Sequence, residues 1–257
     1  MANTQRPFAW YELLTTDTAA AKAFYSKVMG WGTQASPNDD KDYTLFALGA
    51  TPVAGLMDQP EEARAMGAPP SWLGYVDVDD VDATTDRAKR LGGSVYVPPT
   101  DIPSVGRFSV LADPQGATFA LLTWASPGMG EQPAPNTPGR VGWHELMAVD
   151  WAQAFAFYTE LFGWQKGEAV SMGPMGTYQL FTANGEPIGG MFNKPEMVPV
   201  PFWLYYVNIA GIDAATERVR AAGGQILNGP MEVPGGSWIV QCSDPQSAMF
   251  ALVGPKS

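Results

Sequence analysis

The first apolar pattern along the chain predicts a strand followed by an amphipathic helix. Residues 10–14 alternate in the manner of a strand, and Thr16 or Asp17 then supplies an oxygen that can cap the first amides of a helix. Apolar residues from Ala20 to Val28 recur at helical spacing, and Gly30 ends the helix because a left-handed residue is favoured there. The short alternating stretches DYTLFALG and VAGLM follow. The pattern therefore predicts a strand, a helix and about three strands, a βαβββ module.

This pattern recurs along the whole chain. The segment WYELLTTDTAAAKAFYSKVMGWG, which begins at Trp10, returns as WHELMAVDWAQAFAFYTELFGWQ, which begins at Trp143. Between these copies and after the second one, the strands GYVDVDD and LYYVNIAG precede the helices VDATTDRAKRLGG and IDAATERVRAAGG. A repeat of this length indicates a duplicated structural unit. We predict four modules, over residues 7–58, 71–125, 140–193 and 201–254.

The seam between the halves is ASPGMGEQPAPNTPGR, where Pro and Gly crowd together and no apolar period continues. We therefore predict a linker at residues 126–139 between domains at 1–125 and 140–257. The helix of one module needs a larger sheet to cover it, so two modules are expected to pair into one domain. The predicted fold class is α+β. Each domain is a curved, mostly antiparallel sheet with helices on its convex side, and its concave side is left for a ligand.

The charge balance and the rare residue types exclude several function classes. Acidic residues outnumber basic ones 26 to 15, and the net charge of −11 argues against nucleic acid or an anionic membrane as a partner. The chain has no apolar run long enough to span a bilayer, and MANTQRPFAW lacks the apolar centre of a signal peptide, so we expect a cytoplasmic protein. A single Cys excludes an intramolecular disulfide and a thiolate metal cluster, and one Cys with one His argues against a Ser-His-Asp or Cys-His site.

Several short motifs together resemble the vicinal oxygen chelate superfamily. They are the helix endings AFYSKVMGWG and AFYTELFGWQ, the run VDVDDVDA and the turn DPQGA, all within paired βαβββ modules. The superfamily includes glyoxalases, extradiol dioxygenases and bleomycin resistance proteins. TDIPSVGRFSVLADPQGATFALL and the duplicated W-x-E-L opening look like a tandem, two-domain glyoxalase-like subgroup. The resemblance covers nearly the whole chain, and for an enzyme it implies lyase, isomerase or dioxygenase chemistry.

The resemblance also implies a divalent metal ion, held by side chains in the first and closing strands of the modules. Counted onto this chain, the first-strand and closing-strand positions are Trp10, Leu73, Trp143, Leu204, Ala120 and Ala251. None of these side chains offers the oxygen or nitrogen donor that such an ion needs. We therefore expect no metal ligands at these positions and no cofactor. A divalent metal ion held by carboxylates instead is an alternative.

The single histidine, His144, lies between Trp143 and Glu145 in a predicted strand, so it should point to the opposite face from both. We interpret His144 as a structural residue that faces the helices. Glu12 and Glu145 share the expected concave face, where a carboxylate is costly unless it is hydrated or paired. They are candidates for a catalytic acid or base, or for a polar anchor. Equally, they are candidates for structural acids bonded to backbone amides or to an arginine such as Arg107.

The other residues expected on the concave faces are aromatic or apolar, although such stripes usually form a core. The candidate ligand-binding residues are Trp10, Tyr43, Leu73, Tyr75, Trp143, Tyr178, Leu204 and Tyr206. Our hypothesis is metal-independent binding of a small hydrophobic or aromatic molecule by one or both domains. The alternatives are a metal-dependent lyase or dioxygenase, and a regulatory or interaction module whose concave faces are filled by side chains. We expect a monomer, because the duplication supplies sheet partners within one chain.

Overall fold

The computed structural model describes residues 7–36 and 42–257, so residues 1–6 of the predicted first domain and 37–41 of the first module lie outside it. The elements of the first half are β1 (Phe8–Thr15), α1 (Thr18–Met29), β2 (Gly32–Ala35), β3 (Tyr43–Leu48), β4 (Thr51–Asp58), α2 (Glu61–Ala65), β5 (Ser71–Asp77), α3 (Val81–Arg90), β6 (Ser94–Ile102), β7 (Gly106–Ala112) and β8 (Thr118–Trp124). Those of the second half are β9 (Val141–Ala148), α4 (Trp151–Phe162), β10 (Gln165–Ser171), a 3₁₀ turn (Gly173–Met175), β11 (Thr177–Ala183), β12 (Glu186–Asn193), β13 (Phe202–Asn208), α5 (Ile212–Ala221), β14 (Gln225–Glu232), β15 (Trp238–Ser243) and β16 (Met249–Gly254).

The strands form two curved, eight-stranded sheets, with the orders β2-β3-β4-β1-β5-β8-β7-β6 and β10-β11-β12-β9-β13-β16-β15-β14. In each module the first strand pairs in parallel with the last, as β1 does with β4 and β9 with β12. The remaining pairs within a module, such as β10 with β11 and β11 with β12, are antiparallel. This arrangement confirms the predicted α+β fold built from βαβββ modules.

The helix ends also match the sequence signals. Asp17 accepts a hydrogen bond from the amide of Ala20 at 2.9 Å, and Gly30 ends α1 in the left-handed conformation with φ 75°. Asp150 and Gly163, which has φ 73°, do the same for α4. These caps satisfy amides and carbonyls that a helix end leaves without partners. Among the helices of the described residues, none is both long and apolar enough to cross a bilayer.

The described chain divides into two compact units, and each unit contains residues from both sequence halves. The first, here called the α3–α4 unit, comprises residues 7–9, 74–129 and 143–204. The second, the α1–α5 unit, comprises residues 10–73, 130–142 and 205–257. The domain boundaries proposed from the sequence stay a prediction.

A buried hydrogen-bonded chain lies at the centre of the α3–α4 unit. Trp203 Nε1 donates to Tyr158 Oη at 3.0 Å, and Tyr158 Oη donates to Asp113 Oδ2 at 3.1 Å. The other carboxylate oxygen of Asp113 accepts the backbone amides of Gln115 and Ala117 at 2.8 and 2.9 Å. Burial raises the pKa of Asp113 above its usual value, and the bonds to the backbone amides oppose that effect. This chain fastens α4 of the second half to the DPQ turn of the first.

The α1–α5 unit contains the same chain in a second copy. Trp72 Nε1 donates to Tyr25 Oη, and Tyr25 Oη donates to Asp244 Oδ2, both at 3.0 Å. Asp244 in turn accepts the amides of Gln246 and Ala248, each at 2.9 Å. Here α1 of the first half is fastened to the DPQ turn of the second. Each of these two hydrogen-bonded chains therefore joins residues of both halves within one unit.

The segment predicted as a linker is bonded to the α1–α5 unit at Pro135 and Gly139. The amide of Gly139 donates to the carbonyl of Asn208 at 2.7 Å, and the amide of Asn208 donates to the carbonyl of Arg140 at 2.8 Å. Asn208 Nδ2 also donates to the carbonyl of Pro135 at 2.8 Å. Trp31 Nε1 donates to the carbonyl of Gly139 at 2.7 Å. The Pro-rich segment therefore contains turns, and its second part is held in place by hydrogen bonds.

Candidate functional site

His144 lies on the helix side of its sheet, as the strand alternation predicts. Its ring stacks on Phe8 at 4.3 Å between centroids, and Phe8 contacts Trp203 of the buried core at 5.3 Å. Its Nδ1 lies 2.5 Å from the carbonyl oxygen of Ile188, and the residue is only 6% exposed. His144 is thus a polar member of an aromatic core.

Trp143 and Glu145 lie on the other, concave face of β9 and meet side chains from two neighbouring strands. Trp143 Nε1 donates to Tyr178 Oη at 2.9 Å, and Tyr178 Oη donates to Glu145 Oε2 at 3.0 Å. The ring of Phe192 lies 5.7 Å from that of Tyr178. We call Trp143, Glu145, Tyr178, Gly190 and Phe192 the Trp143 cluster. It brings together three of the residues that the sequence proposed for a site.

The strand register explains how these side chains meet. Glu145 pairs with Gly190 across the parallel strands β9 and β12, and Gly190 pairs with Leu180 across the antiparallel strands β12 and β11. Tyr178 precedes Leu180 by two positions and therefore points to the same face. Its ring extends diagonally over Gly190, which has no side chain in that space. The phenol can then reach both β9 side chains.

The electrostatics of the cluster set the direction of its hydrogen bonds. The pKa of Tyr178 is raised well above 10.0, first by burial and then by the negative charge of Glu145. The phenol therefore keeps its proton at neutral pH and donates it to the carboxylate. Glu145 is 6% exposed, so this bond offsets part of the cost of burying its charge. The arrangement can anchor a polar group of a ligand at the concave face.

A related cluster occurs in the α1–α5 unit, and we call it the Trp10 cluster: Trp10, Glu12, Tyr43 and Gly55. Trp10 Nε1 donates to Tyr43 Oη at 3.1 Å, and Glu12 pairs with Gly55 in the strand register. Trp10 and Glu12 are 8% and 7% exposed, whereas Tyr43 is half-buried. The sequence repeat is thus reproduced as a repeat of side-chain geometry.

The remaining candidate residues are buried in other surroundings. Tyr75 packs against Phe108 with 6.5 Å between ring centroids, and Tyr206 Oη accepts a hydrogen bond from Gln241 Nε2 at 2.8 Å. Leu73 and Leu204 are buried. Among the eight proposed ligand-binding residues, only Tyr43, Trp143 and Tyr178 are half-buried and the other five are buried. Their roles, and those of Glu12 and Glu145, stay predictions.

Arg107 does not contact the glutamates for which the sequence offered it as a partner. Its guanidinium bonds to Asp82 at 2.6 and 2.9 Å and to Asp101 at 2.7 Å. These bonds raise the pKa of Arg107 and lower that of Asp82, and all three groups are well hydrated. The phenol of Tyr178 is the partner observed for Glu145.

The residues at the implied metal-ligand positions do not fit a divalent ion. Trp143 uses its indole N–H as a donor to Tyr178, and an indole nitrogen is no acceptor. Ala120 and Ala251 pair with Tyr75 and Tyr206 in the strand register and carry no donor atom. Within residues 7–36 and 42–257, no three His, Cys, Asp or Glu side chains group closely enough to hold a metal ion.

Sequence reasoning missed the roles of Gly55, Gly190 and Phe192. The signal for the glycines was present, because Tyr43 and Gly55 recur with the same spacing as Tyr178 and Gly190. What the sequence lacks is the strand register that lays each tyrosine over its glycine. Phe192 corresponds to Met57 in the first half, so the repeat carries no aromatic signal at that position.

Two cavities lie away from both clusters. The larger, of about 360 Å³, opens beside α5 and β14 and is lined in part by Asp213, Glu217 and Arg220. The smaller, of about 10 Å³, lies among core side chains that include Trp31 and Trp72. None of their lining residues is among the candidate ligand-binding residues.

Comparison with known proteins places these features in a family. The model of the Glyoxalase/Bleomycin resistance protein/Dioxygenase superfamily matches residues 8–121 and 140–252. "Putative glyoxylase CFP32" of Mycobacterium bovis is 33% identical over 249 residues, which cover 96% of this chain and 94% of that protein. "Anthracycline biosynthesis protein DauV" of a Streptomyces species, strain C5, is 30% identical over 257 residues, covering 95% and 92%.

Solved structures share the fold at low sequence identity. The Mn(II)-bound glyoxalase of Novosphingobium aromaticivorans has a TM-score of 0.67 and 17% identity, with 99% of this chain and 83% of that chain covered. A variant of homoprotocatechuate 2,3-dioxygenase from B. fuscum, in complex with HPCA, has a TM-score of 0.68 and 13% identity, with 100% and 74% covered. The chain belongs to the Glyoxalase/Bleomycin resistance protein/Dioxygenase superfamily, as a protein in which the family unit occurs twice.

Proposed function

We propose that this protein binds a small hydrophobic or aromatic molecule on the concave face of one or both sheets, without a metal ion. The observation that carries the proposal is the hydrogen-bonded chain from Trp143 through Tyr178 to Glu145. It begins at a residue that stands at an implied metal-ligand position. The phenol and the carboxylate adjoin that position and offer polar groups for a ligand there.

The composition of the Trp143 cluster favours a planar, mostly apolar ligand. Trp143 and Tyr178 are half-buried, and Phe192 packs beside Tyr178, so a ring that stacks on them gains further apolar burial. Glu145 supplies the charged anchor that fixes orientation. If the bound molecule reacts, Glu145 is its acid or base and Tyr178 is the adjoining proton donor.

The names of two relatives point to two different ligand classes. The Streptomyces protein is named for anthracycline biosynthesis, and anthracyclines are planar, fused-ring aromatic molecules. The mycobacterial protein is named as a glyoxylase, which favours small carbonyl compounds instead. Both classes belong in one binding test.

The test is a calorimetric titration of metal-stripped protein in EDTA with an anthracycline, a catechol and methylglyoxal. We expect saturable binding of an aromatic probe and no need for added Mn(II). Tyr178→Phe should weaken binding about tenfold, since it removes the two hydrogen bonds that hold Trp143 and the charged Glu145 in place. Tyr96→Phe is the control, because Tyr96 is 53% exposed and lies outside both clusters. Binding that appears only after Mn(II) is added would favour the metal-dependent lyase or dioxygenase.

A second candidate is an interaction module whose concave faces are filled. The burial of Leu204 and Tyr206, at 0% and 2% exposure, favours it, because a ligand must displace such side chains to reach the sheet. In that case none of the probes would raise the melting temperature, although a ligand that prefers the folded state does so by mass action.

A further inference from the structure

We propose that Gly190 and Gly55 are positioning residues, whose missing side chains hold Tyr178 and Tyr43 against the tryptophan of each cluster. The inference rests on the proposed function only for its consequence in binding. The positioning itself follows from steric overlap and strand register, and it can be tested without any ligand.

The overlap at Gly190 is with the aromatic ring itself. A Cβ built on Gly190 would lie 2.7 Å from Tyr178 Oη and would overlap ring atoms Cε1 and Cζ. Real Cβ atoms do not approach other heavy atoms this closely, so the ring would have to leave its position. A displaced phenol would lose its bonds to Trp143 Nε1 and Glu145 Oε2.

Gly55 repeats this arrangement in the other unit. A Cβ there would lie 2.6 Å from Tyr43 Cζ and would overlap Tyr43 Oη. The same displacement would break the bond from Trp10 Nε1 to Tyr43 Oη. In both units the glycine pairs with the cluster glutamate, Glu145 or Glu12, on the adjacent parallel strand. Although the two copies differ at other positions, both have a glycine beneath the tyrosine ring.

Backbone conformation does not explain these two glycines. Neither has a positive φ, so an alanine could adopt the same backbone without strain. Gly189 next to Gly190 differs, because a Cβ there would meet the backbone carbonyl of His144 and the ring of Phe181 on the helix side. Gly189 therefore leaves space for core packing, whereas Gly190 and Gly55 leave space for the tyrosine rings on the concave face.

The experiment uses the full chain labelled with 5-fluorotryptophan and recorded by ¹⁹F NMR, with Trp143 and Trp10 assigned by substitution to Phe. We expect Gly190→Ala and Tyr178→Phe to shift the Trp143 resonance and leave that of Trp10 in place. Gly55→Ala and Tyr43→Phe should do the reverse. Gly32→Ala is the matched control, because a Cβ there meets its nearest atom at 3.8 Å, and it should shift neither resonance.

A stability cycle keeps the proposal testable if Gly190→Ala unfolds the protein. Gly190→Ala should lower the melting temperature of the wild-type protein but not that of the Tyr178→Ala variant, since the overlapping ring is absent from that variant. A Trp143 resonance that stays at its wild-type position in Gly190→Ala, or an alanine cost that persists without Tyr178, would overturn the assignment. If the resonances move as expected but no probe binds, the proposed function fails and the positioning role stands.

Discussion

The α3–α4 unit contains the same chemical chain twice, in two different settings. In the core, Trp203 donates to Tyr158, which donates to Asp113. On the concave face, Trp143 donates to Tyr178, which donates to Glu145. Each chain runs from indole to phenol to carboxylate with bonds of 2.9 to 3.1 Å. Bond geometry alone therefore does not separate a structural network from a candidate site.

The difference lies in what surrounds each chain. One oxygen of Asp113 is held by two backbone amides, and Tyr158 is fully buried, so the core chain is fixed by the fold. The concave chain begins at the half-buried Trp143 and passes through the half-buried Tyr178. A buried hydrogen-bonded chain whose acceptor is also bonded to backbone amides stabilises the fold. One whose aromatic members remain partly exposed can also meet a ligand.

The largest effect should follow from removing the core carboxylate. Asp113→Ala leaves the Tyr158 hydroxyl and the amides of Gln115 and Ala117 without their acceptor, which should lower the free energy of unfolding by about 3 to 5 kcal/mol. Urea unfolding measures this loss. Asp86→Ala is the control, because its pair with Lys89 is exposed. A loss below about 1 kcal/mol would contradict the structural role assigned to the hydrogen-bonded chain in the core.

Glu145→Gln should lower stability less than Asp113→Ala does, and its main effect should be on ligand binding. The amide keeps the shape of the side chain and can still accept from Tyr178, so the unfolding free energy should fall by only about 1 kcal/mol. Affinity for an aromatic probe should fall about tenfold or more, because the charged anchor is lost. Parallel calorimetry and urea unfolding check both values, with the exposed Glu168→Gln as control. Unchanged affinity would make Glu145 a structural acid like Asp113.

The smallest effect is on the ionisation of Tyr178. Burial and the charge of Glu145 both raise its pKa, so Glu145→Gln should bring the pKa down toward 10.0 while burial keeps it above that value. Ultraviolet titration measures the ionisation of all tyrosines, so the Tyr178 signal is obtained as a difference. The wild type is compared with Tyr178→Phe, and Glu145→Gln is compared with the double variant Glu145→Gln/Tyr178→Phe. An unaltered pKa would mean that the carboxylate does not act on it.

The raised pKa of Tyr178 should also lower the stability of the folded protein at high pH. Above pH 10.0 the unfolded chain loses the Tyr178 proton while the folded chain keeps it, so this phenol lowers stability as pH rises. The loss between pH 10 and 11 should be smaller in Tyr178→Phe than in wild type. Equal slopes would contradict the raised pKa.

Much of the fold follows from local sequence signals. Asp17, Gly30 and the strand alternation around His144 act over a few residues, so the helix ends and the face of each side chain were predictable. The bond between Tyr25 and Asp244 joins residues far apart in the chain, so the sequence alone did not indicate that each compact unit combines both halves.

The site was predictable only in part, for the same reason. Alternation placed Trp143 and Glu145 on one face, and the repeat marked Tyr178 as a candidate. The contact of Tyr178 with Gly190 depends on the register of β11 and β12, which contains an irregularity between Phe181 and Thr182. A sequence pattern does not specify such a shift, so the glycine looked like an ordinary strand residue.

The way each unit draws on both halves limits how this gene could be shortened. A stop codon in the seam would leave α1 without the DPQ turn that holds Asp244, and α4 would be missing entirely. The product would expose rings such as Phe24 and Tyr25 that normally pack on Phe250, and a surface of this kind promotes aggregation. A backbone cut in the seam should be far milder, because both fragments are still present to complement each other. The duplicated gene has thus become indivisible, because each compact unit needs residues from both of its halves.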